Sequence, residues 1–445
     1  MAAGRLAVVG AGLAGLAAAV ELKRRGFTVE LFERTRLLGG KATSFTVDGV
    51  EVDNGQHVYL GCCTEFIDFV SGVGRATRAD GTTTGDLLWL QDRFEALLLQ
   101  RGRPPARLRA DALPSPLHLA RALLGYRHLS PLDRLRLGQA VVAARRPAIP
   151  GETFGTWLER HGQGGAIRTA FWDPFLVPSL NAPLDEVDAA MGLFVVTTAF
   201  LADPGAARIG FARVPLARIA EAAAAGLDAV HLRMPVTGLD VAPSGTDPGR
   251  VRAVLLSDGG RVECDGVVLA VPPAAVARIV GDPSAFGLAG LDQFKTAPIV
   301  DVHLWYDAPG LGFGFAALLD SPVQWVFEKA PGYLCCSLSA ADQHVLQPEP
   351  DLIELCHREV TAVLPELAGA TLRHGVATRD REATFVPAPG LARPGPRTAV
   401  PGVVIAGAWT DTGWPATMES AVRSGRAAAR ELAGSVLPRE VSRVG

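Results

Sequence analysis

Gly10, Gly12 and Gly15, in the string Gly10-Ala-Gly12-Leu-Ala-Gly15, have the spacing of a loop that cradles a diphosphate. The first glycine permits a tight turn after a strand, the second lets the backbone approach a pyrophosphate, and the third allows close helix packing. Leu13 and Ala14 fall at the start of the following helix, where unpaired N–H groups and the helix dipole favour an anion. The pattern alone is weak, because Ala/Gly-rich helices produce it by chance. Its context carries it. An apolar strand over Arg5–Val9 precedes the loop, a helix over Leu13–Arg25 follows and stops at Gly26, and a second strand, Thr28–Phe32, ends at Glu33. A carboxylate about twenty residues beyond the loop accepts both ribose hydroxyls and disfavours a 2′-phosphate. Dinucleotide binding is the expectation. Arg34 and the string Leu38-Gly39-Gly40-Lys41 add a second glycine turn with a cation, where backbone and charge neutralise phosphate; a simple turn is the alternative. No Cys/His/Asp spacing suggests a metal site, and there is no G-x-S-x-G nucleophile pattern.

The elements that must hold these loops recur along the chain. Short strands are expected at Gly238–Ala242, Arg250–Ser257, Arg261–Cys264 and Val267–Val271, with Asp258-Gly259 as a hairpin turn. Residues 387–402 read as a Pro/Gly-rich loop, followed by a strand at Val403–Ala406 and a helix from about Pro415 to Leu432. Nucleotide-type strands thus stand at both ends and in the middle. Residues 101–116 read as a loop or boundary, and 117–146 as helices with Leu and Ala at helical spacing and Arg interleaved. With 445 residues, two interleaved domains are expected, and 48% hydrophobic against 20% charged residues excludes disorder as the main state. A net charge of −3 gives no global attraction to nucleic acid. The six cysteines form no C-x-x-C pair and include two vicinal doublets, which favours reduced thiols and the cytoplasm. The glycine-broken N-terminal run fits a strand-turn-helix better than a signal peptide, and no stretch stays apolar long enough for a membrane span.

The two glycine loops together resemble the flavin family of amine oxidases and phytoene desaturases. Three further strings narrow the likeness: Asp53-Asn-Gly-Gln-His57-Val-Tyr-Leu-Gly61, Phe171-Trp-Asp-Pro174 through Leu180-Asn-Ala-Pro183, and Gly407-Ala-Trp-Thr-Asp-Thr-Gly-Trp-Pro-Ala-Thr-Met-Glu419 onward to Gly425. Along nearly its whole length the chain is similar to the squalene-associated FAD-dependent desaturases, also described as hydroxysqualene dehydroxylases. That resemblance implies an α/β fold: a discontinuous Rossmann-type FAD-binding domain with a β-meander, interleaved with a mixed α+β substrate domain. The implied division assigns 1–85, 208–285 and 385–445 to the FAD domain, and 86–207 and 286–384 to the substrate domain. It implies FAD as cofactor, with Gly55, Gln56, His57 and Val58 facing the isoalloxazine, Thr417 and Met418 presenting helix-start N–H groups to the pyrimidine, and Val236 pairing with adenine. The wider family usually has an acid after the Ala-Gly of its last strand. Here Ala408 follows Gly407, and Asp411 is the candidate substitute.

The reaction the resemblance implies removes the hydroxyl of hydroxysqualene, a long apolar isoprenoid, and puts hydride in its place. It requires an acid for the departing oxygen, stabilisation of an allylic cation and a long dry tunnel. His57 is the candidate acid, or else a ring that only hydrogen-bonds flavin or a backbone carbonyl. Asp173 is a second candidate, with a structural role as its alternative. Trp172, Trp409 and Trp414 are candidate tunnel walls, or core aromatics. The Arg-bearing helices between His118 and Arg146 offer either a peripheral contact with an anionic bilayer or an ordinary solvated face. Two other readings stand beside this one: a carotenoid-type desaturase or isomerase on the same scaffold, and a non-catalytic flavin-binding protein. The electron donor is left open.

Overall fold

The computed structural model describes residues 4–47, 49–74, 87–242 and 249–436. A five-stranded sheet runs in the order Ala229–His231, Thr28–Phe32, Arg5–Val9, Gly266–Leu269, Val403–Ile405. Every neighbouring pair in it is parallel. Gly266–Leu269 and Val403–Ile405 are buried throughout, as expected of parallel strands covered on both faces. Helices Leu13–Arg24 and Met418–Val436 cover one face, touching so closely that a Cβ on Gly425 would lie 2.1 Å from the Ala14 carbonyl oxygen. The other face carries an antiparallel meander of Val236–Val241, Val251–Leu256 and Arg261–Glu263. Strands from the beginning, middle and end of the chain thus share one sheet, the α/β architecture expected from the sequence.

A second sheet of seven strands has the order Leu372–Phe385, Thr296–Tyr306, Tyr333–Ser339, Trp325–Ala330, Phe315–Leu318, Glu95–Leu99, Ala106–Arg109. It is antiparallel except where Phe315–Leu318 meets Glu95–Leu99. Helix Glu349–Thr361 closes one face, over Val300, Val302 and Leu304. The helical segments between 117 and 201 close the other, over Phe315, Trp325, Phe327 and Cys335. Asn181 pins these layers together. Held in the left-handed region at φ 48°, it donates through Nδ2 to the Ala297 carbonyl at 3.1 Å and Thr384 Oγ1 at 2.9 Å, and accepts at Oδ1 from Ala340 N at 2.7 Å.

Several local expectations shift. Within 101–116, residues Ala106–Arg109 form an edge strand because Glu95–Leu99 offers them a pairing partner that a local reading does not see. The stretch 117–146 divides into a 3-10 turn at Leu117–Leu119 and helices Ala120–Leu124 and Pro131–Ala143, the latter capped by Ser130. The C-terminal helix begins at Met418 rather than near Pro415, since Thr417 Oγ1 caps it by accepting from Ser420 N at 3.2 Å. The boundary expected at 85 lies outside the described residues.

Candidate functional site

The two glycine loops meet. Gly39 N donates to the Ala11 carbonyl at 2.8 Å, and a Cβ on Gly40 would come within 3.0 Å of Gly12 Cα. Gly10, at φ +100°, has the Ala270 carbonyl oxygen 2.5 Å from where a Cβ would sit. The helix at Leu13 starts with no side-chain cap and no acidic residue in its first turn, so the amides near Leu13, Ala14 and Gly15 keep an unopposed positive end. Close by in sequence, Thr43 Oγ1 is buried without a partner. An open backbone cradle, an uncapped helix start and an unpaired buried hydroxyl fit a bound dinucleotide. Glu33, 8% exposed, ends its strand beside them. Its Oε2 accepts from Ala11 N at 2.9 Å, and its Oε1 accepts from Thr35 N at 2.9 Å and Thr35 Oγ1 at 3.0 Å. A carboxylate has about four acceptor sites, so the Glu33 carboxylate keeps capacity for ribose hydroxyls. Met234 N donates to the Glu33 carbonyl at 2.9 Å, which brings buried Val236 alongside this end of the site. Arg34 is exposed. Lys41 departs from expectation. Its ammonium pairs with Asp380 at 3.2 Å and donates to the Glu382 carbonyl, so it ties the loop to the second sheet instead of standing as an unengaged phosphate cation.

The 53–61 string forms a turn over the second sheet. Gly55, at φ +88°, rests on the carboxylate of Asp301, whose Oδ2 would be 2.5 Å from a Cβ there; Asp301 Oδ1 accepts from Gln56 N at 3.2 Å. Gln56 Oε1 accepts from Lys329 Nζ at 2.9 Å, and Lys329 also reaches Asp53 at 3.5 Å. Asp53 in turn accepts from Ser44 Oγ at 2.7 Å and Leu216 N at 3.0 Å, a bracing role. His57 Nδ1 lies 3.2 Å from the Gly55 carbonyl oxygen, and burial lowers its pKa below the ordinary imidazole value. Val58 is exposed.

The C-terminal string is sewn by Arg393. Its guanidinium donates to the carbonyls of Trp409 at 3.2 Å, Trp414 at 2.7 Å, Ala408 at 2.9 Å, and also of Thr410. Burial lowers this guanidinium to about 10, against the opposing pull of Asp411. Ser420 Oγ also donates to the Ala408 carbonyl, at 3.1 Å. A Cβ on Gly407 would strike Trp409 Nε1 at 2.4 Å. Asp411 is exposed and accepts from Gly413 N at 3.2 Å within its own loop, so it does not reach inward as a substitute acid. Met418 is half-buried at the helix start. Glu419, fully buried, accepts from Phe66 N at 2.7 Å and from Arg423 at 2.6 Å, which braces a neighbouring helix.

The remaining candidates lie in packing. Asp173 pairs with Arg168 at 3.3 Å, though burial outweighs that pair and raises its pKa. Trp172 is 1% exposed with its indole N–H given to Gln163 Oε1 at 3.1 Å, and Trp409 is 6% exposed with its N–H given to the Val271 carbonyl at 3.1 Å. Both fill core rather than line an open tunnel. Trp414 alone of the three keeps a partly open face, packed edge-on to Phe194 at 5.1 Å with Arg423 over its ring at 5.0 Å. A small apolar space of about 10 Å³ lies among Phe94, Leu119, Leu123, Phe171, Phe175 and Phe200. Asp301 and Arg393 were missed in the sequence. The available signals were a lone acid inside the apolar run Thr296–Tyr306, and a lone Arg amid prolines and glycines.

A parallel nucleotide sheet with two meeting glycine loops, beside a second sheet that carries the turn at Gly55, is the architecture of a flavoprotein oxidoreductase. The flavin containing amine oxidoreductase family matches residues 13–433, and the chain belongs to it; its cofactor is FAD. The chain is 30% identical over 442 residues to a hydroxysqualene dehydroxylase of Rhodopseudomonas palustris, covering 95% of this chain and 96% of that one. It is 24% identical to a zeta-carotene desaturase of Arabidopsis thaliana, covering 95% and 84%. Among solved structures it is similar in fold to a putrescine oxidase bound to putrescine, with a TM-score of 0.71 at 18% identity over 97% of this chain and 99% of that one.

Proposed function

We propose that this flavoenzyme replaces the hydroxyl of hydroxysqualene with hydride, giving squalene. The observation that carries the reading is the end-to-end similarity to hydroxysqualene dehydroxylases. When bound, reduced FAD supplies the hydride. The chain's own residues do the rest. Gly12 and the Leu13 helix start take the diphosphate, Glu33 takes the ribose, and the turn from Gly55 to Val58 sits against the ring. Replacement of hydroxide by hydride also consumes one proton at the departing oxygen. With Nδ1–H directed to the Gly55 carbonyl, a neutral His57 offers only an acceptor at Nε2. Its lowered pKa keeps it neutral at physiological pH, so positioning of the turn suits it better than proton donation.

The substrate partner is a long hydrocarbon that dissolves in lipid. Helix Pro131–Ala143 buries Leu137 and Ala140 but exposes Leu132, Leu135 and Val142, and Leu117 and Leu124 are exposed beside it. Arg121, Arg127, Arg145 and Arg146 are exposed on the segments that lead into and out of that helix. Exposed apolar side chains accompanied by cations suit the interface of an anionic bilayer. Leu119, Ala122 and Leu123, from the stretch between Leu117 and Leu124, line the small Phe-rich apolar space. No described helix is long and apolar enough to cross a membrane.

The test is product analysis with anaerobically pre-reduced enzyme and hydroxysqualene. Squalene, formed by reduced and not by oxidised enzyme, is expected. The similarity to carotene desaturases favours a second reading, in which hydride moves toward the flavin. Oxidised enzyme that adds double bonds to a polyene precursor, with no squalene from reduced enzyme, replaces the first reading by the second.

A further inference from the structure

We propose that Asp301 seats the Gly55–Gln56 turn and takes up a proton when the neighbouring flavin is reduced. It is a positioning and charge-balancing residue. Side-chain alternation along Thr296–Tyr306 sends Val300, Val302 and Leu304 under helix Glu349–Thr361 and turns Asp301 and His303 to the opposite face. Asp301 is 3% exposed. Its carboxylate has no ion-pair partner among the described residues; it accepts from Gln56 N and lies 4.0 Å from Cys335 Sγ, and the pull of Gln56 N and Ser337 toward ionisation is weaker than the push of burial. The nearest cation, Lys329, is engaged by Gln56 and Asp53. A buried acid held by neutral donors keeps its proton more tightly, and here its pKa rises from 3.8 to about 6.

The groups facing Asp301 change charge less readily near neutrality. His303, bonded through Nδ1 to the Tyr333 hydroxyl at 2.8 Å, is pushed down to about 4 by burial and stays neutral. Burial raises the Tyr333 hydroxyl and the Cys335 thiol, so both keep their protons. From the flanking elements, Lys329 and Asp53 form their own ion pair, and Asp380 is paired with Lys41. His57, across the turn, is lowered by burial. Asp301 is left as the group poised to take a proton.

The proposal rests on the reading that the turn from Gly55 to Val58 lies on the isoalloxazine. Negative charge on the reduced ring raises the proton affinity of a nearby carboxylate, and a proton on that carboxylate reciprocally favours reduction. Above about pH 6 Asp301 is ionised in the oxidised protein. Two electrons from dithionite then bring one proton to the ring and one to Asp301. Below that pH the carboxyl already holds its proton, and only the ring takes one.

Infrared difference spectra and redox titrations of the FAD-loaded protein test this. Reduction should produce a protonated-carboxyl band that is lost in Asp301→Asn. The pH slope of the wild-type midpoint potential should double above about pH 6, from one proton to two per electron pair, while Asp301→Asn keeps the single-proton slope. A wild type with a single-proton slope throughout and no carboxyl band overturns the proposal, whether or not the variant folds. His57→Ala separates the two layers of the reading. If it shifts the flavin spectrum while the Asp301 signals are missing, only the Asp301 proposal fails. If neither His57→Ala nor Asp301→Asn touches the flavin spectrum or potential, the placement of the turn on the ring fails with it.

Discussion

At Gly15 an added Cβ would lie 1.9 Å from the Gly10 carbonyl oxygen, whereas at Gly12, with φ −71°, it would meet only the Gly40 Cα, at 4.0 Å. The protein itself therefore requires a glycine at 15, and at 12 only a ligand does. Gly12→Val should fold with a melting temperature near that of wild-type apoprotein, yet purify without yellow colour, because the side chain fills the diphosphate cradle. Gly15→Val should fail to fold, since backbone cannot retreat from that clash. Thermal unfolding and flavin absorbance of the two variants check both halves. A folded, yellow Gly12→Val protein would refute the assignment of the cradle.

Helix Pro131–Ala143 carries its test on one side. Positions 132, 135 and 142 share the face opposite Leu137 and Ala140, so charges placed there leave the core untouched. The triple change Leu132→Glu, Leu135→Glu and Val142→Glu should leave unfolding within about 0.5 kcal/mol per site of wild type, as surface substitutions usually do. It should abolish flotation with phosphatidylglycerol vesicles, which removes both apolar insertion and attraction to the anionic surface. Equal flotation of variant and wild type would return this face to ordinary solvent exposure.

Across the whole molecule, Asp301 makes stability depend on pH. Its folded pKa, about 6, stands above its ordinary value of 3.8, so the folded state binds the proton more tightly than the unfolded chain. Its stabilising contribution is full below the ordinary value and fades as pH rises through about 6. Between about pH 4 and pH 8 wild-type apoprotein should lose roughly 2.5 kcal/mol relative to Asp301→Asn, taking about 1.4 kcal/mol per pKa unit and allowing for the part already lost by pH 4. Urea unfolding of both proteins at the two pH values measures this difference. A constant gap would mean that the carboxyl is not buried as described.

The nucleotide half of this protein could be read from residues 5–33 because a strand, glycine turn, helix, strand and acid form one local unit, whose backbone geometry follows from neighbours in sequence. The meander and its Asp258-Gly259 turn were readable for the same reason, and Gly259 adopts the expected positive φ of 85°. Distance along the chain marks where such reading ended. Lys41 looked like a phosphate cation until Asp380, 339 residues away, claimed it. Asp301 meets Gln56 across 245 residues, and Arg393 gathers carbonyls from a loop whose path only the fold defines. For Trp172 and Trp409 residue type left tunnel wall and core both open, and they are core because helices and sheet enclose them. A side chain's charge state and exposure depend on how much water its neighbours remove. Here those neighbours come from segments hundreds of residues apart, so folding, and not local pattern, set the chemistry around the turn.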